Sequence, residues 1–91
     1  MKKRLTLHIY GNVHGVSFRY HIWNFGQAHS ISGWVRNERD GSVAIIAEGN
    51  EENLRNLIDF CYNGIKSAYV DKIERDWSNA LDEYDDFTIK Y

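Results

Sequence analysis

The fold is indicated first by the segment ISGWVRNERDGSVAIIAEG, residues 31–49. Its first half is built around Trp34 and Val35, its second half contains the apolar run of residues 43–47, and Asp40-Gly41 lies between them. Asp-Gly is typical of tight hairpin turns, because such turns need the positive φ angles that glycine adopts readily. The segment therefore predicts a β-hairpin with one strand over Ile31–Asn37 and the next over Ser42–Gly49.

Upstream of this hairpin the hydrophobic period changes twice. Leu5, Leu7 and Ile9 alternate with polar residues, which predicts a first strand with one apolar face. Apolar residues then recur at helical spacing, which predicts a helix over about residues 19–30. A strand and a helix thus precede the hairpin.

Downstream, Asn50 is a favoured N-cap residue for a second helix, and two strands follow, at roughly residues 68–77 and 87–91. The order is β-α-β-β-α-β with a short extra C-terminal strand. It predicts an α+β, ferredoxin-like fold, with an antiparallel sheet and two helices packed on one face. A chain of 91 residues is too short for two independent cores, so we expect a single domain over residues 1–91.

Composition excludes several classes of function. Eleven Lys and Arg against thirteen Asp and Glu give a formal net charge of −2, which offers no general attraction to nucleic acid. The longest apolar run, residues 43–47, is far short of the roughly 20 residues that a membrane-spanning helix needs. The lone Cys61 cannot form an internal disulfide, and the first strand is too polar for a secretory signal. We therefore expect a cytoplasmic protein that binds neither membranes nor nucleic acid.

The loop GNVHGVSFR, residues 11–19, is a candidate functional site because of its position in the predicted topology. In a split β-α-β unit the carboxyl ends of the first two strands share one sheet edge, about two strand spacings or 10 Å apart. Asn37 ends the second strand there, opposite a loop whose glycines permit an amide nest and whose helix start carries Arg19. These features predict an oxyanion or phosphate cradle. The alternative is a flexible connection with a solvated arginine, and the loop fits neither the Walker A nor the GxGxxG pattern.

The same loop, followed after a helix by GWVRNERDGSVAIIAEG over residues 33–49, resembles the paired signature of the acylphosphatase family. The resemblance covers essentially the whole chain. It implies hydrolysis of small-molecule acyl phosphates to a carboxylate and inorganic phosphate, without a metal or a cofactor. It also implies that Arg19 binds the phosphoryl group and that Asn37 orients the attacking water. The cradle whose backbone amides would hold the phosphoryl oxygens consists of Asn12, Val13, His14, Gly15, Val16, Ser17 and Phe18.

Physical chemistry is consistent with those roles. A carboxylate is a good leaving group, so the reaction needs positioning and charge stabilisation more than general-acid assistance. Asn37 has a donor and an acceptor on one short side chain and can fix a water in line, although it is not a base. We expect a phosphate oxygen to take the proton. The rate should then show no pKa of the enzyme between about 5 and 8, where a histidine such as His14 would titrate.

The chain departs from the family pattern at several positions. His14 stands where the family usually has glutamine, and Ser17 stands near a usual glycine. We interpret His14 as a brace or a solvent-exposed residue, and we expect Ser17 to reshape the cradle slightly, because a residue with a Cβ tolerates positive φ poorly. Gly26 replaces the usual alanine at a cost of roughly 1 kcal/mol of helix stability.

Two other functions compete with hydrolysis. One is a protein of the same fold that binds phosphate or a partner, with turnover weakened by His14 and Ser17. The other is an RNA-binding module that stacks bases on the open sheet face beside His8 and Tyr10. The third strand carries no aromatic residue, which argues against the RNA-binding module. The four histidines lack the spacing that a metal site requires. We expect the protein to be a monomer. No sequence motif indicates a pocket for the acyl half of a substrate.

Overall fold

The computed structural model describes residues 2–14 and 17–91. Its elements are β1 (Lys2–Asn12), α1 (Phe18–Ala28), β2 (Ser32–Asn37), β3 (Val43–Asn50), α2 (Glu51–Asn63), β4 (Tyr69–Asn79) and β5 (Phe87–Lys90). The predicted order of helices and strands is confirmed. One boundary matters for the site: β1 continues through Gly11 and Asn12, so the loop before α1 begins at Val13.

The five strands form one sheet in the order β4-β1-β3-β2-β5. β3 lies antiparallel between β1 and β2, and Val43 of β3 pairs with Ile9 on one side and Asn37 on the other. Ile9 and Asn37 are therefore two strand spacings apart, about 10 Å. This register places the carboxyl ends of β1 and β2 at one edge, as predicted.

The last strand departs from the antiparallel pattern predicted for the sheet. β5 pairs parallel with β2, from Gly33 opposite Phe87 to Arg36 opposite Lys90, so the sheet is mixed. The reason is topological: β4 and β5 occupy opposite edges. Residues 80–86 carry the chain from one edge to the other, and it enters β5 in the direction of β2.

The core lies between the sheet and the two helices. Leu5, Leu7 and Ile9 of β1 are fully buried, whereas the residues that alternate with them on the other face are only half-buried. Both helices contribute buried side chains to this core. They are Phe18 and Ile22 of α1 and Leu54, Leu57, Ile58 and Cys61 of α2. The apolar stripe of α2 is the one that the helical spacing predicts.

Gly26 has a packing role that the helix-propensity argument missed. A Cβ at this position would lie 2.8 Å from Cγ of Phe87, a ring that is 1% exposed in β5. The glycine allows α1 to approach β5 closely. Its propensity cost is therefore offset by the tight packing of Phe87.

The crossing segment 80–86 is anchored to the sheet by Glu48, whose side chain is fully buried. Its carboxylate accepts hydrogen bonds from the amides of Leu81 (2.8 Å) and Asp82 (3.0 Å) and from Nε of Arg4 (2.8 Å). Burial alone would raise the pKa of Glu48, but these three donors outweigh it and hold the pKa below its ordinary value. No local sequence pattern predicts this anchor.

Of the helices in residues 2–14 and 17–91, neither has the length and apolar character that a membrane crossing requires.

Candidate active site

The two helices begin in different ways, and the start of α1 suits an anion better than the start of α2 does. In α2 the side chain of Asn50 accepts a hydrogen bond from the amide of Asn53 (2.9 Å), and two glutamates follow in the first turn. In α1 the N-cap Ser17 makes no side-chain capping bond, and the first turn carries Arg19 and no acidic residue. The first-turn amides of α1 lack helical acceptors, and the positive pole of the helix is not neutralised.

A cavity of about 380 Å³ opens at this helix start. It is lined by Val13, Ser17, Phe18, Arg19, Tyr20, Asn37, Ile89 and Tyr91. The structure therefore brings Arg19 and Asn37, which are remote in sequence, into one cavity. Its polar groups are a guanidinium, main-chain amides and a carboxamide, which is a set of donors suited to an anion.

Arg19 is half-buried and is held by the C-terminal end of the chain. Its Nη1 donates a hydrogen bond to the carbonyl of Lys90 (3.3 Å), and its guanidinium lies 4.8 Å from the centre of the Tyr91 ring. The bond to Lys90 uses one of the five N–H donors of the guanidinium. These contacts orient the group at the cavity wall.

Asn37 carries the most informative polar atom of the site. It is the last residue of β2 and lies on the same face as the buried Val35. Its Oδ1 is buried, and nothing in the described part of the chain forms a hydrogen bond with it. A buried acceptor without a donor costs about 1–3 kcal/mol, so this oxygen favours a bound donor such as water.

The other predicted cradle residues take different places. Val13 and Phe18 are 1% and 2% exposed, so their side chains belong to the core and only their main chain can serve an anion. Asn12 ends β1 and is exposed. Gly15 and Val16 lie outside the described residues.

His14 braces the loop against the hairpin between β2 and β3. Its Nε2 lies 3.0 Å from the carbonyl oxygen of Ser42, and the hydrogen bond requires a proton on that nitrogen. Ser42 is in turn held by Asp40, which accepts bonds from its amide (3.0 Å) and its hydroxyl (2.6 Å). His14 is not among the residues that line the cavity, and these contacts favour the bracing interpretation.

Ser17 adopts a strained backbone conformation, with φ 59° in the left-handed region. Glycine has no Cβ to clash there, so Ser17→Gly should raise the free energy of unfolding by about 1 kcal/mol, as measured by urea denaturation. Ser30 has φ 55° and does not line this cavity, so Ser30→Gly is the matched control and should give a similar gain. A loss of stability in Ser17→Gly alone would show that the serine hydroxyl contributes more than the strain costs.

Tyr20, Ile89 and Tyr91 line the cavity but were not predicted as site residues. The position of Tyr20 directly after Arg19, at the start of α1, is a sequence feature that could have indicated it as a site residue. No sequence feature indicated Ile89 and Tyr91, because their position beside the cavity depends on the parallel pairing of β5 with β2.

Within residues 2–14 and 17–91, no group of three or more His, Cys, Asp or Glu side chains is arranged to hold a metal ion.

Comparison with known proteins agrees with this geometry. The acylphosphatase family model matches residues 5–89. The acylphosphatases of Caldanaerobacter subterraneus subsp. tengcongensis and Geotalea uraniireducens are each 40% identical, over 98% and 100% of this chain and 99% and 100% of their own. The crystal structure of acylphosphatase from Bacillus subtilis superimposes with a TM-score of 0.93 at 32% identity, over 98% of this chain and 99% of that one. The chain therefore belongs to the acylphosphatase family of hydrolases.

Proposed function

We propose that this protein hydrolyses acyl phosphates by in-line attack of water, with Arg19 holding the phosphoryl group and Asn37 positioning the water. The observation that carries the proposal is the buried Oδ1 of Asn37, which lacks a partner within the described residues and shares a cavity with Arg19. Family membership supports the reaction and a small-molecule substrate.

The phosphoryl group is the part of the substrate that the cavity suits. Its oxygens carry negative charge, which spreads further over them in the transition state. The guanidinium of Arg19 and the main-chain amides at the start of α1 supply donors that can stabilise that charge as it develops. The positive pole of α1 adds to the same attraction.

Asn37 supplies orientation rather than basicity. Its Oδ1 accepts a hydrogen bond from the attacking water, which leaves a lone pair of the water free to approach phosphorus. As the bond between phosphorus and the water oxygen forms, the bond from phosphorus to the bridging oxygen breaks, and the carboxylate leaves with that electron pair. A phosphoryl oxygen takes the proton of the water, which yields inorganic phosphate.

The direct test is turnover of benzoyl phosphate by the purified chain, with a chelator present and no metal added. Release of benzoate that survives the chelator is the expected result. Binding of inorganic phosphate without any release of benzoate would instead favour the phosphate-binding protein of the same fold. Loss of turnover on adding the chelator would contradict hydrolysis without a metal.

Asn37→Ala should lower kcat for benzoyl phosphate by about 10²-fold, because one pre-oriented polar group is lost from the reaction centre. Competitive inhibition by inorganic phosphate should stay within about threefold, since Arg19 and the amides remain. Asn24→Ala removes an exposed asparagine of α1 and is the matched control. If Asn37→Ala retained its fold but no longer bound phosphate, the role in positioning water would be wrong.

We further propose that the protein is a single-domain monomer of the cytoplasm that does not bind nucleic acid. The net charge of −2 supports the last of these points. A sedimentation experiment would test the oligomeric state.

A further inference from the structure

The cavity beside Arg19 is larger than a phosphoryl group needs. Its volume is about 380 Å³. A phosphoryl group has the bulk of roughly three water molecules, about 90 Å³ at the volume that water occupies in the liquid. More than half of the cavity therefore remains for another part of the ligand, and its total size falls within the range of small-molecule sites.

The outer part of this cavity has a different chemistry from the phosphoryl end. Its walls are Tyr20 on α1 and Ile89 and Tyr91 at the end of β5, and among the described residues that line the cavity Arg19 alone has a charged side chain. Tyr20 is 54% exposed and Tyr91 is 96% exposed, although both are large aromatic residues. Exposed aromatic surface at the mouth of a polar cavity is typical of a ligand-binding surface.

The two parts of the cavity meet at Arg19. The ring of Tyr91 lies 4.8 Å from the guanidinium. In an acyl phosphate the acyl carbon is only two bonds from phosphorus, through the bridging oxygen. A phosphoryl group held by Arg19 therefore brings its acyl group within contact distance of the tyrosine ring.

We propose that Tyr20, Ile89 and Tyr91 form the acyl subsite, and that it selects uncharged acyl groups with an aromatic or bulky apolar body over small ones such as acetyl. This inference rests on the proposed function. Aromatic rings stack with one another or meet edge to face, and a bound benzoyl group would cover surface of both tyrosines that water now covers. An acetyl group is smaller and would cover less of that surface.

The test compares two substrates across a set of variants. In the double variant Tyr20→Ala/Tyr91→Ala, kcat/KM should fall by about 10-fold or more for benzoyl phosphate and by less than about threefold for acetyl phosphate. Tyr91→Phe should retain the preference for benzoyl phosphate. The fold is not at risk, since alanine is a better helix former than tyrosine and Tyr91 is exposed at the end of β5.

Tyr62→Ala is the matched control, because Tyr62 is an exposed tyrosine of the other helix, 42% exposed and outside the cavity. It should leave both substrates unaffected. Equal losses for the two substrates in the double variant would overturn the subsite, because the two tyrosines would then not distinguish one acyl group from the other. If the wild-type protein hydrolysed both substrates and no variant changed either rate, the subsite alone would be overturned. If the wild-type protein hydrolysed neither substrate, the proposed function and the subsite would be overturned together.

Discussion

Arg19→Ala is expected to lower kcat/KM for benzoyl phosphate by roughly 10³-fold or more, because a charge-assisted, bidentate contact with the transferred group is lost. That loss corresponds to about 4 kcal/mol of transition-state stabilisation. Inhibition by inorganic phosphate should weaken as well, since the same guanidinium binds the product. This pattern differs from that of Asn37→Ala, which should lower turnover and spare phosphate binding.

Two further variants separate charge from geometry. Arg19→Lys keeps the positive charge but lacks the planar fork, so it should recover only part of the activity. Arg55→Ala removes an exposed arginine of α2 and should leave turnover unchanged. Within the described part of the chain, Arg19 contributes an exposed bond to Lys90 and a ring contact to the fold, so the free energy of unfolding should change by less than about 1 kcal/mol. Near-normal turnover in Arg19→Ala would rule out the proposed role.

Glu48→Gln is expected to destabilise the fold by about 3 kcal/mol, as measured by urea denaturation at pH 7. The amide group of glutamine offers one acceptor where the carboxylate serves three donors, and its own NH₂ would face one of them. A glutamine oxygen in the place of Oε2 keeps the bonds from Leu81 and Arg4, but the NH₂ group then faces the amide of Asp82, which loses its acceptor. Glu51→Gln is the control: Glu51 pairs with Arg55 in an exposed contact, so its loss should cost no more than about 1 kcal/mol.

The effect of Glu48 should also depend on pH in a defined direction. Because folding lowers the pKa of Glu48, its carboxylate adds stability at pH values above its unfolded pKa of about 4.3, and that stability is lost as the pH falls through the folded pKa. The difference in unfolding free energy between wild type and Glu48→Gln should therefore shrink below about pH 4.3. A difference that stays constant down to acid denaturation would show that Glu48 is not the linked group.

The helices and strands could be predicted because each has a local signal. Leu5, Leu7 and Ile9 alternate along one strand, and Asp40-Gly41 is the kind of dipeptide that a tight turn needs; Gly41 indeed has φ 91°. The N-cap role of Asn50 is equally local, since the side chain bonds to an amide three residues away. The structure confirms all three.

The shared edge of Arg19 and Asn37 could also be predicted, but by a different argument. It follows from the connectivity of a split β-α-β unit, in which β3 separates two parallel strands. The register then brings Ile9 and Asn37 to either side of Val43. The roles of Arg19 and Asn37 in the chemistry remain predictions until the variants are measured.

The alternation of apolar residues, the turn dipeptide and the capping asparagine were enough to specify which elements form and in what order, and the connectivity of the split β-α-β unit then predicts the sheet edge at which an anion should bind. Only the folded chain decides the direction of β5, the burial of Glu48 against a segment 33 residues away, and the place of Ile89 and Tyr91 beside Arg19. The physical reason is the separation along the sequence between the residues that interact. Periodicity and capping depend on neighbours within a few residues, whereas strand pairing across the sheet and the satisfaction of buried polar atoms depend on partners that no local pattern names.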